Sequence, residues 1–353
     1  MRLPLFLLLL CLAPACLHRV PPLEPDWRPG DADVRLSADS LRESVQRLVD
    51  ARVNLRRTDA SEERARAFGL PVKREPIDWF SLQDNLVIEL PGETKRLIYL
   101  VAHVDKTDIN PLKLLSIMLN GALDEPINFT YLSEGAIDNA SGVAVVLETA
   151  KSFAKLRRTH TLRVLLTGSE EAGLRGARAH VARIPNEEWP LIDAVINVDS
   201  VGLRGQPTCV VKNESDVNLA TLAKTAATAA KVPLEGEDMP ILGGGDHSAF
   251  AQTSFFHELG RGLLFNGLAG LLPQRSWFTG FHGAPVIAFF SCHLLDAGDW
   301  LSTVVMLPIG QIHGPRDNAS ALDLARLTEA FLIVRGLVTE LERGDDVARR
   351  EPP

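Results

Sequence analysis

Short apolar runs recur along the chain, and each is followed by polar or turn-forming residues. Strand-like runs at Arg96–His103, Thr161–Gly168 and Leu191–Asp199 each lead to a polar group at or just past the C-terminal end of the run. Helical spacing is found between and around these strands, at Ser37–Phe68, Ala140–Leu156, Ala172–Arg183, Val217–Lys231 and Ala319–Glu342. The alternation predicts an α/β fold, with a mostly parallel mixed sheet flanked by helices on both faces.

Two features qualify this alternation. Asn85–Leu90, the turn at Pro91-Gly92 and Arg96–Ala102 are predicted to form a strand pair. Two insertions, at about 106–135 and 251–283, carry apolar stretches that belong to no strand–helix repeat. Because both insertions are flanked by candidate site residues, we predict that they cap the site. Packed peripheral helices are the alternative.

Composition is typical of a globular enzyme. The chain has 353 residues, of which 46% are hydrophobic and 23% charged, so it can bury a large core. The net charge is -8, and the Lys and Arg residues are scattered rather than gathered in a stripe. This charge pattern argues against nucleic acid as a partner.

The N-terminus predicts export. Arg2 is followed by the short apolar run Leu3–Leu12, which is too short to span a bilayer comfortably, so residues 1–16 are interpreted as an export signal. The small residues before Cys16 resemble a bacterial lipoprotein cleavage box. We therefore expect a periplasmic or outer-membrane lipoprotein attached through lipidated Cys16, with ordinary secretion as the alternative. Once the signal is set aside, Cys209 and Cys292 remain, either as a disulfide or as two buried thiols.

Six acidic or imidazole side chains form the candidate site: His103, Asp138, Glu170, Glu171, Asp199 and His313. Most of them follow an apolar run, and the carboxyl ends of strands in an open α/β sheet meet at one edge, where ligands collect. Residues far apart in the sequence are therefore expected to converge there. Asp105 follows His103 closely and is a candidate acceptor for the second nitrogen of that imidazole.

The charges of this set favour two divalent ions over one. Asp138, Glu171 and Asp199 supply three negative charges, and crowding them without cations would raise their pKa values at a cost in folding energy. Two zinc ions and a bound hydroxide would balance those charges. Histidine nitrogen and carboxylate oxygen are ligands that suit zinc, although manganese or cobalt can substitute.

Six motifs in this order resemble the co-catalytic zinc aminopeptidases, a group that includes secreted bacterial leucyl aminopeptidases, glutamate carboxypeptidase and glutaminyl cyclases. The resemblance runs from about Asn85 to about Glu342. The motifs are HVD at 103–105, IDNASG at 137–142, GSEEAGLRG at 168–176, NVDSVG at 197–202, GDHSAF at 245–250 and HGPRDN at 313–318.

The resemblance implies a role for each residue of the set. His103 and Asp199 would bind one zinc ion, Glu171 and His313 the other, and Asp138 would bridge them. Glu170 would be the general base of peptide hydrolysis. Three further residues would act around this centre, Asp105 by orienting His103, and Asp246 and His247 near the substrate pocket. The implied organisation is a signal (1–16), a linker (17–36), a zinc peptidase domain (37–345) and a tail (346–353).

The expected activity is that of an exopeptidase, most simply an aminopeptidase acting on peptide substrates. Two alternatives stay open: a glutaminyl cyclase that works with one zinc ion, and a non-catalytic binding ectodomain of the same fold. The two insertions interrupt the motif series, and Asn318 stands where the family usually has Thr.

Overall fold

The computed structural model describes residues 31–79, 81–107, 132–239, 244–251, 283–294 and 310–350. The predicted signal with Cys16 and most of both predicted insertions lie outside these ranges. Within the described residues, no helix combines the length and apolar character needed to cross a membrane.

Within the described residues, eight strands form one mixed sheet. In chain order they are β1 (Val72–Pro76), β2 (Asp84–Leu90), β3 (Leu97–His103), β4 (Thr161–Thr167), β5 (Ile192–Val198), β6 (Thr208–Val211), β7 (Leu234–Glu237) and β8 (Val286–Ser291). Their order across the sheet is β1-β2-β4-β3-β5-β8-β6-β7. The four central strands, β4, β3, β5 and β8, are parallel to their neighbours within this group. The predicted fold class is therefore confirmed.

The predicted pairing of the 85–90 and 96–102 strands is wrong. β2 pairs antiparallel with β4, and β3 lies on the far side of β4. Every residue of β3 is buried, whereas β2 keeps partly exposed positions. A strand that is apolar on both faces belongs in the centre of a parallel sheet, which explains why β4 separates the two segments.

Helices cover both faces of the sheet. They are α1 (Asp31–Ala51), α2 (Asn54–Ala67), α3 (Gly142–Phe153), α4 (Arg175–Val181), α5 (Val217–Ala230), α6 (His247–Phe250) and α7 (Leu324–Arg350). On β3, Ile98, Leu100 and Ala102 pack in the main core, to which α1, α3, α5 and α7 contribute. The alternate residues of β3 pack in a second core, which includes Phe250 of α6. The period of two in a strand thus divides β3 between the two cores.

Several element boundaries differ from the sequence prediction. The first helix begins at Asp31, inside the stretch assigned to the linker. The predicted helical stretch over residues 37–68 is two helices, separated at Arg52, which has a positive φ of 60°. The last helix extends to Arg350, past the predicted domain end at residue 345.

A disulfide joins Cys209 of β6 to Cys292, which directly follows β8. The Cα atoms lie 5.0 Å apart. β6 and β8 are antiparallel neighbours, so the bond links two strands that already share a ladder. Of the two states left open for these cysteines, the structure contains the disulfide.

Candidate metal centre

Two of the candidate residues lie at the carboxyl edge of the parallel strands. His103 is the last residue of β3 and is in register with Thr167, the last residue of β4. Asp199 directly follows β5, and its backbone N–H donates to the carbonyl of Phe289 at 3.0 Å. Both side chains are buried. The parallel register therefore brings together residues that are 96 positions apart in the sequence.

Asp138 lies in an irregular helical segment, Ala136–Ser141, whose backbone leaves helical angles at Asp138 and Asn139. The Asn139 side chain fixes this segment. Its amide nitrogen donates to the Val198 carbonyl at 3.0 Å, and its oxygen accepts from the N–H groups of Gly142 and Ser200. The small residue Gly142 is required, because a Cβ there would lie 2.2 Å from the Val198 carbonyl oxygen. Asp138 is thereby held against the end of β5.

Asp138 contacts both histidines of the set through separate oxygens. Its Oδ1 lies 3.0 Å from His103 Nε2, and its Oδ2 lies 2.8 Å from His313 Nε2. Asp199 Oδ1 is 3.4 Å from the same nitrogen of His103, and Glu171 Oε1 is 3.3 Å from that of His313. Asp138 therefore stands between two groups of donors, one containing Asp199 and the other Glu171.

The donor atoms lie close enough together to hold metal ions. In each of two groups, His103–Asp138–Asp199 and Asp138–Glu171–His313, one atom from each residue lies within 4.8 Å of the others. A third group of the same kind contains His103, Glu170 and Glu171. All five predicted ligands and the predicted base are thus gathered at one place, with Asp138 common to the first two groups.

Glu170 and Glu171 lie in the turn after β4. The turn begins at Ser169, whose φ is 54°, and the buried carboxylate of Asp105 holds it. Asp105 Oδ1 accepts from the Glu170 N–H and Oδ2 from the Glu171 N–H, each at 3.1 Å. One carboxylate therefore fixes the backbone of both glutamates.

The contact of Asp105 with His103 is made mainly by its backbone. His103 Nδ1 lies 3.1 Å from the Asp105 carbonyl oxygen and 3.6 Å from its carboxylate. The carbonyl is the closer acceptor for Nδ1, and this contact orients the ring so that Nε2 faces Asp138 and Asp199. Asp105 was expected to orient His103. Its backbone carbonyl makes the closer contact with that ring, and its carboxylate instead accepts from the N–H groups of Glu170 and Glu171.

Asp246 and His247 lie beside this cluster. Asp246 is fully buried and accepts a hydrogen bond from the Thr167 hydroxyl. Burial, together with the negative charges of Asp199 and Asp105, raises the pKa of Asp246 to about 7, although His103 and the Thr167 bond oppose the shift. His247 has its Nε2 2.8 Å from Glu214. None of the three ligand groups includes either residue.

The electrostatics of the cluster follow from burying several carboxylates together. Burial opposes a charge on His103, but Asp199 and Glu170 outweigh it and raise the pKa of His103 well above its usual value. For Asp138, burial is likewise outweighed by its hydrogen bonds to His103 and His313, which hold its pKa well below the usual range. Burial, and then the charge of Glu171, raise the pKa of Glu170. The cluster therefore attracts cations.

Two buried residues that the sequence analysis did not single out hold the segments of the site. Asp317 accepts from the Ile137 N–H and the Ser133 hydroxyl, both at 2.8 Å. Arg57 is fully buried and donates to the carbonyls of Val104 at 2.6 Å and Gly135 at 3.0 Å. Asp317 belongs to the HGPRDN motif, whereas Arg57 lies in a charged helix that gave no sequence signal.

Comparison with known proteins identifies the family. The family model described as peptidase family M28 matches residues 85–262 of the 353-residue chain. The chain belongs to peptidase family M28. This membership agrees with the motif resemblance. It also agrees with the mixed sheet, whose carboxyl edge carries the cluster.

Individual relatives share part of the sequence or the fold of this M28 member. A probable zinc metalloprotease from Pyrenophora tritici-repentis is 32% identical over 133 residues, which cover 36% of this chain and 29% of that protein. The chain thus matches less than a third of that relative's length. The Legionella pneumophila LapA aminopeptidase has a TM-score of 0.60 at 17% identity, covering 89% of this chain and 75% of its own. A glutaminyl cyclase from an Acidobacteriales bacterium has a TM-score of 0.58 at 16% identity, covering 91% and 99%. At such identities the two structures establish likeness of fold.

Proposed function

We propose that this M28 protein is an aminopeptidase that binds two zinc ions and hydrolyses the N-terminal peptide bond of its substrates. The observation that carries the proposal is the pair of ligand groups that share Asp138, one on each of its oxygens. A carboxylate that offers separate oxygens to two neighbouring donor groups suits a bridge between two cations. The likeness to a zinc metalloprotease and to an aminopeptidase fold supports the same class.

The residues present fit zinc. The set combines imidazole nitrogens with carboxylate oxygens, which are zinc ligands, and includes no thiolate. His103 and Asp199 would hold one ion, Glu171 and His313 the other, and Asp138 both. Bound zinc ions would lower the pKa of a coordinated water toward ~7 and polarise the substrate carbonyl.

Glu170 supplies the proton transfer in this proposal. Its backbone is fixed by the bond to Asp105, and its carboxylate lies near His103 and Glu171 without belonging to either group around Asp138. Burial and the charge of Glu171 raise its pKa, which makes its carboxylate more basic. Glu170 would take a proton from the attacking water at its carboxylate and deliver it to the nitrogen of the leaving amine.

The test is hydrolysis of aminoacyl anilides by the purified protein, paired with metal analysis of the same sample. Activity that a chelator abolishes and zinc restores, with two ions per chain, supports the proposal. One ion per chain together with cyclisation of an N-terminal glutamine would replace it by a cyclase. Absence of both bound metal and activity on a substrate panel would leave a binding ectodomain.

We also propose that the chain is exported and lipidated at Cys16. The support is the apolar N-terminal run and the Cys209–Cys292 disulfide, since such bonds persist mainly in oxidising compartments. Labelling of expressing cells with radioactive palmitate checks this. The wild-type chain should incorporate label, and Cys16→Ser should not. Unlabelled wild-type protein released to the medium would favour ordinary secretion.

A further inference from the structure

Trp79 and Leu82 are two large apolar side chains exposed between β1 and β2. Trp79 is 99% exposed and Leu82 68%. A single exposed leucine is ordinary in a folded protein, but a fully exposed tryptophan leaves a large apolar ring in water. The segment that carries them, Ile77–Gln83, is called the rim segment below. Its residue 80 lies outside the described residues.

The C-terminal part of the rim segment is fastened beside the proposed base. The Ser81 hydroxyl lies 3.0 Å from the Ser169 hydroxyl, and the Ser169 N–H donates to Gln83 Oε1 at 3.2 Å. Ser169 directly precedes Glu170. The contact is close, because a Cβ on Gly168 would lie 2.9 Å from Gln83 Cβ. The rim segment therefore packs on the turn that carries both glutamates.

The N-terminal part of the rim segment is fastened to the other end of the same turn. Arg175, the first residue of α4, is buried and donates from Nη2 to both carboxylate oxygens of Asp78 at 2.6 Å. Asp78 Oδ1 also accepts from the Ser81 N–H at 2.9 Å. Charge-assisted contacts of this kind give orientation as well as energy. The segment is thus fixed from two sides, while Trp79 and Leu82 remain exposed.

A bound peptide would reach these side chains. Consecutive Cα atoms are 3.80 Å apart, so Trp79 Cα lies within about 8 Å of Ser81 Cα. An extended peptide advances roughly 3.3 Å per residue. A substrate whose first peptide bond lies at Glu170 is therefore long enough to reach the rim segment with its next three or four residues.

We propose that Trp79 and Leu82 determine specificity by contacting apolar side chains at the second to fourth residues of the substrate. The inference rests on the proposed aminopeptidase function. An aminopeptidase has a single substrate residue on the N-terminal side of the scissile bond, so the rest of the peptide must leave the buried cluster toward its surroundings. Trp79 and Leu82 are exposed apolar side chains on a segment fastened beside Glu170, and they therefore suit the part of the peptide that leaves the site.

The experiment compares kcat/KM for three substrates that share the N-terminal residue the wild type cleaves best. They are its anilide, a tetrapeptide continued by three glycines, and a tetrapeptide with phenylalanine at the third position. The variants are W79S, L82S and the double variant. The control is V217S, which removes an exposed apolar side chain, 74% exposed, at the start of α5.

For W79S/L82S, the ratio of kcat/KM for the phenylalanine peptide to that for the anilide should fall about tenfold, the size of effect that one apolar contact has on specificity. The ratio for the glycine peptide should stay within about twofold, as should both ratios in V217S. Equal ratios in all variants would overturn the inference, and so would an equal loss on every substrate, which marks a structural role.

Two other outcomes can be told apart from these results. If the wild type cleaves none of the three substrates, the proposed function fails before the rim segment is tested. If W79S/L82S keeps the wild-type ratios but loses binding to phosphatidylglycerol vesicles, the surface belongs to a membrane contact and the specificity inference is wrong.

Discussion

Two buried histidines, at opposite edges of the sheet, each contact two carboxylates. His103 ends β3 and is 3.0 Å from Asp138 and 3.4 Å from Asp199. His160 directly precedes β4 and is 3.1 Å from both Glu342 and Asp193. Because β3 and β4 are parallel, the first histidine lies at the carboxyl edge and the second at the amino edge. His103 makes both contacts through Nε2, whereas His160 makes one through each ring nitrogen.

The surroundings of the two histidines differ in charge. At the amino edge, Glu342 also accepts from the N–H groups of Thr159 and His160, and Asp193 also accepts from Arg96. Donors of the chain itself satisfy these carboxylates. At the carboxyl edge, Asp138, Asp199 and Glu171 share His103 and His313, with Glu170 close by. A histidine between two carboxylates is therefore not a sufficient sign of a metal centre. The excess of buried negative charge is the distinguishing feature.

The largest effect is expected from Glu170→Gln at the carboxyl edge. The amide keeps the size of the side chain but cannot accept the proton of the attacking water. We expect kcat for an aminoacyl anilide to fall by roughly 10²- to 10⁴-fold, the usual contribution of a general base. Zinc content should stay at the wild-type value. Full activity in this variant would refute the proposed mechanism.

The next largest effect is expected from removing metal. A ligand that binds only the folded state stabilises it by about 4 kcal/mol when present at a thousandfold excess over its Kd. Zinc added to chelator-treated protein should therefore raise Tm clearly, because the cations offset the repulsion among the buried carboxylates.

Matched variants at the two edges sharpen this test. Asp138→Asn should lose most of the zinc-induced rise in Tm, since it weakens both ligand groups. Asp193→Asn should keep the rise, although its Tm without zinc is lower. The same zinc response in both variants would mean that the carboxyl edge is no more specialised for cations than the amino edge.

The clustering of the site residues was predictable, because the carboxyl ends of parallel strands meet at one edge of the sheet. Apolar runs located β3, β4 and β5 to within a residue or two, and their parallel register alone brings His103 and Asp199 to one edge. The motif order supplied Asp138 and His313, which lie on irregular segments that no periodicity marks. A helix was predicted at Val217–Lys231 and the structure has Val217–Ala230, which begins after Asp216, an N-cap that accepts from the Asn218 and Leu219 N–H groups.

Other features depend on contacts between distant segments. The sequence of β2 does not reveal that β4, rather than β3, is its partner. Strands β6 and β7 are four residues each, too short for a periodic signal. Arg57 resembles its exposed neighbours on a charged helix, yet its guanidinium is buried against the carbonyls of Val104 and Gly135. These assignments require the assembled sheet, because the partners are separated by dozens of residues.

A smaller effect is expected from Glu342→Gln at the amino edge. Glu342 accepts from the Thr159 N–H at 2.6 Å, the His160 N–H at 3.1 Å and the His160 ring at 3.1 Å. An amide has one accepting oxygen, so buried donors lose partners at a cost of about 1–3 kcal/mol. Urea unfolding should show a lower midpoint with an unchanged m-value.

The control for this variant is Glu340→Gln on the same helix. Glu340 pairs with Arg343 one turn away, and such pairs contribute only about 0.2–0.5 kcal/mol. Its urea midpoint should stay close to that of the wild type. Equal shifts in the two variants would mean that the three hydrogen bonds of Glu342 do not stabilise the amino edge.

The smallest effect is expected on the loss of stability at acid pH, again at the amino edge. Burial raises the pKa of Asp193, but hydrogen bonds from His160 and Arg96 outweigh it, so the folded pKa is below the usual value. The unfolded chain therefore binds this proton at a higher pH, near the usual aspartate pKa of about 3.9. Stability from Asp193 is present above that pH and lost as the pH falls through the folded pKa.

The measurement is Tm between pH 5 and pH 2 for chelator-treated proteins. Tm should fall less steeply in Asp193→Asn than in the wild type, and Arg96→Met should show an intermediate dependence of Tm on pH. An unaltered slope in both variants would mean that the charge balance of the amino edge does not govern its stability, and the contrast with the carboxyl edge would then rest on metal binding alone.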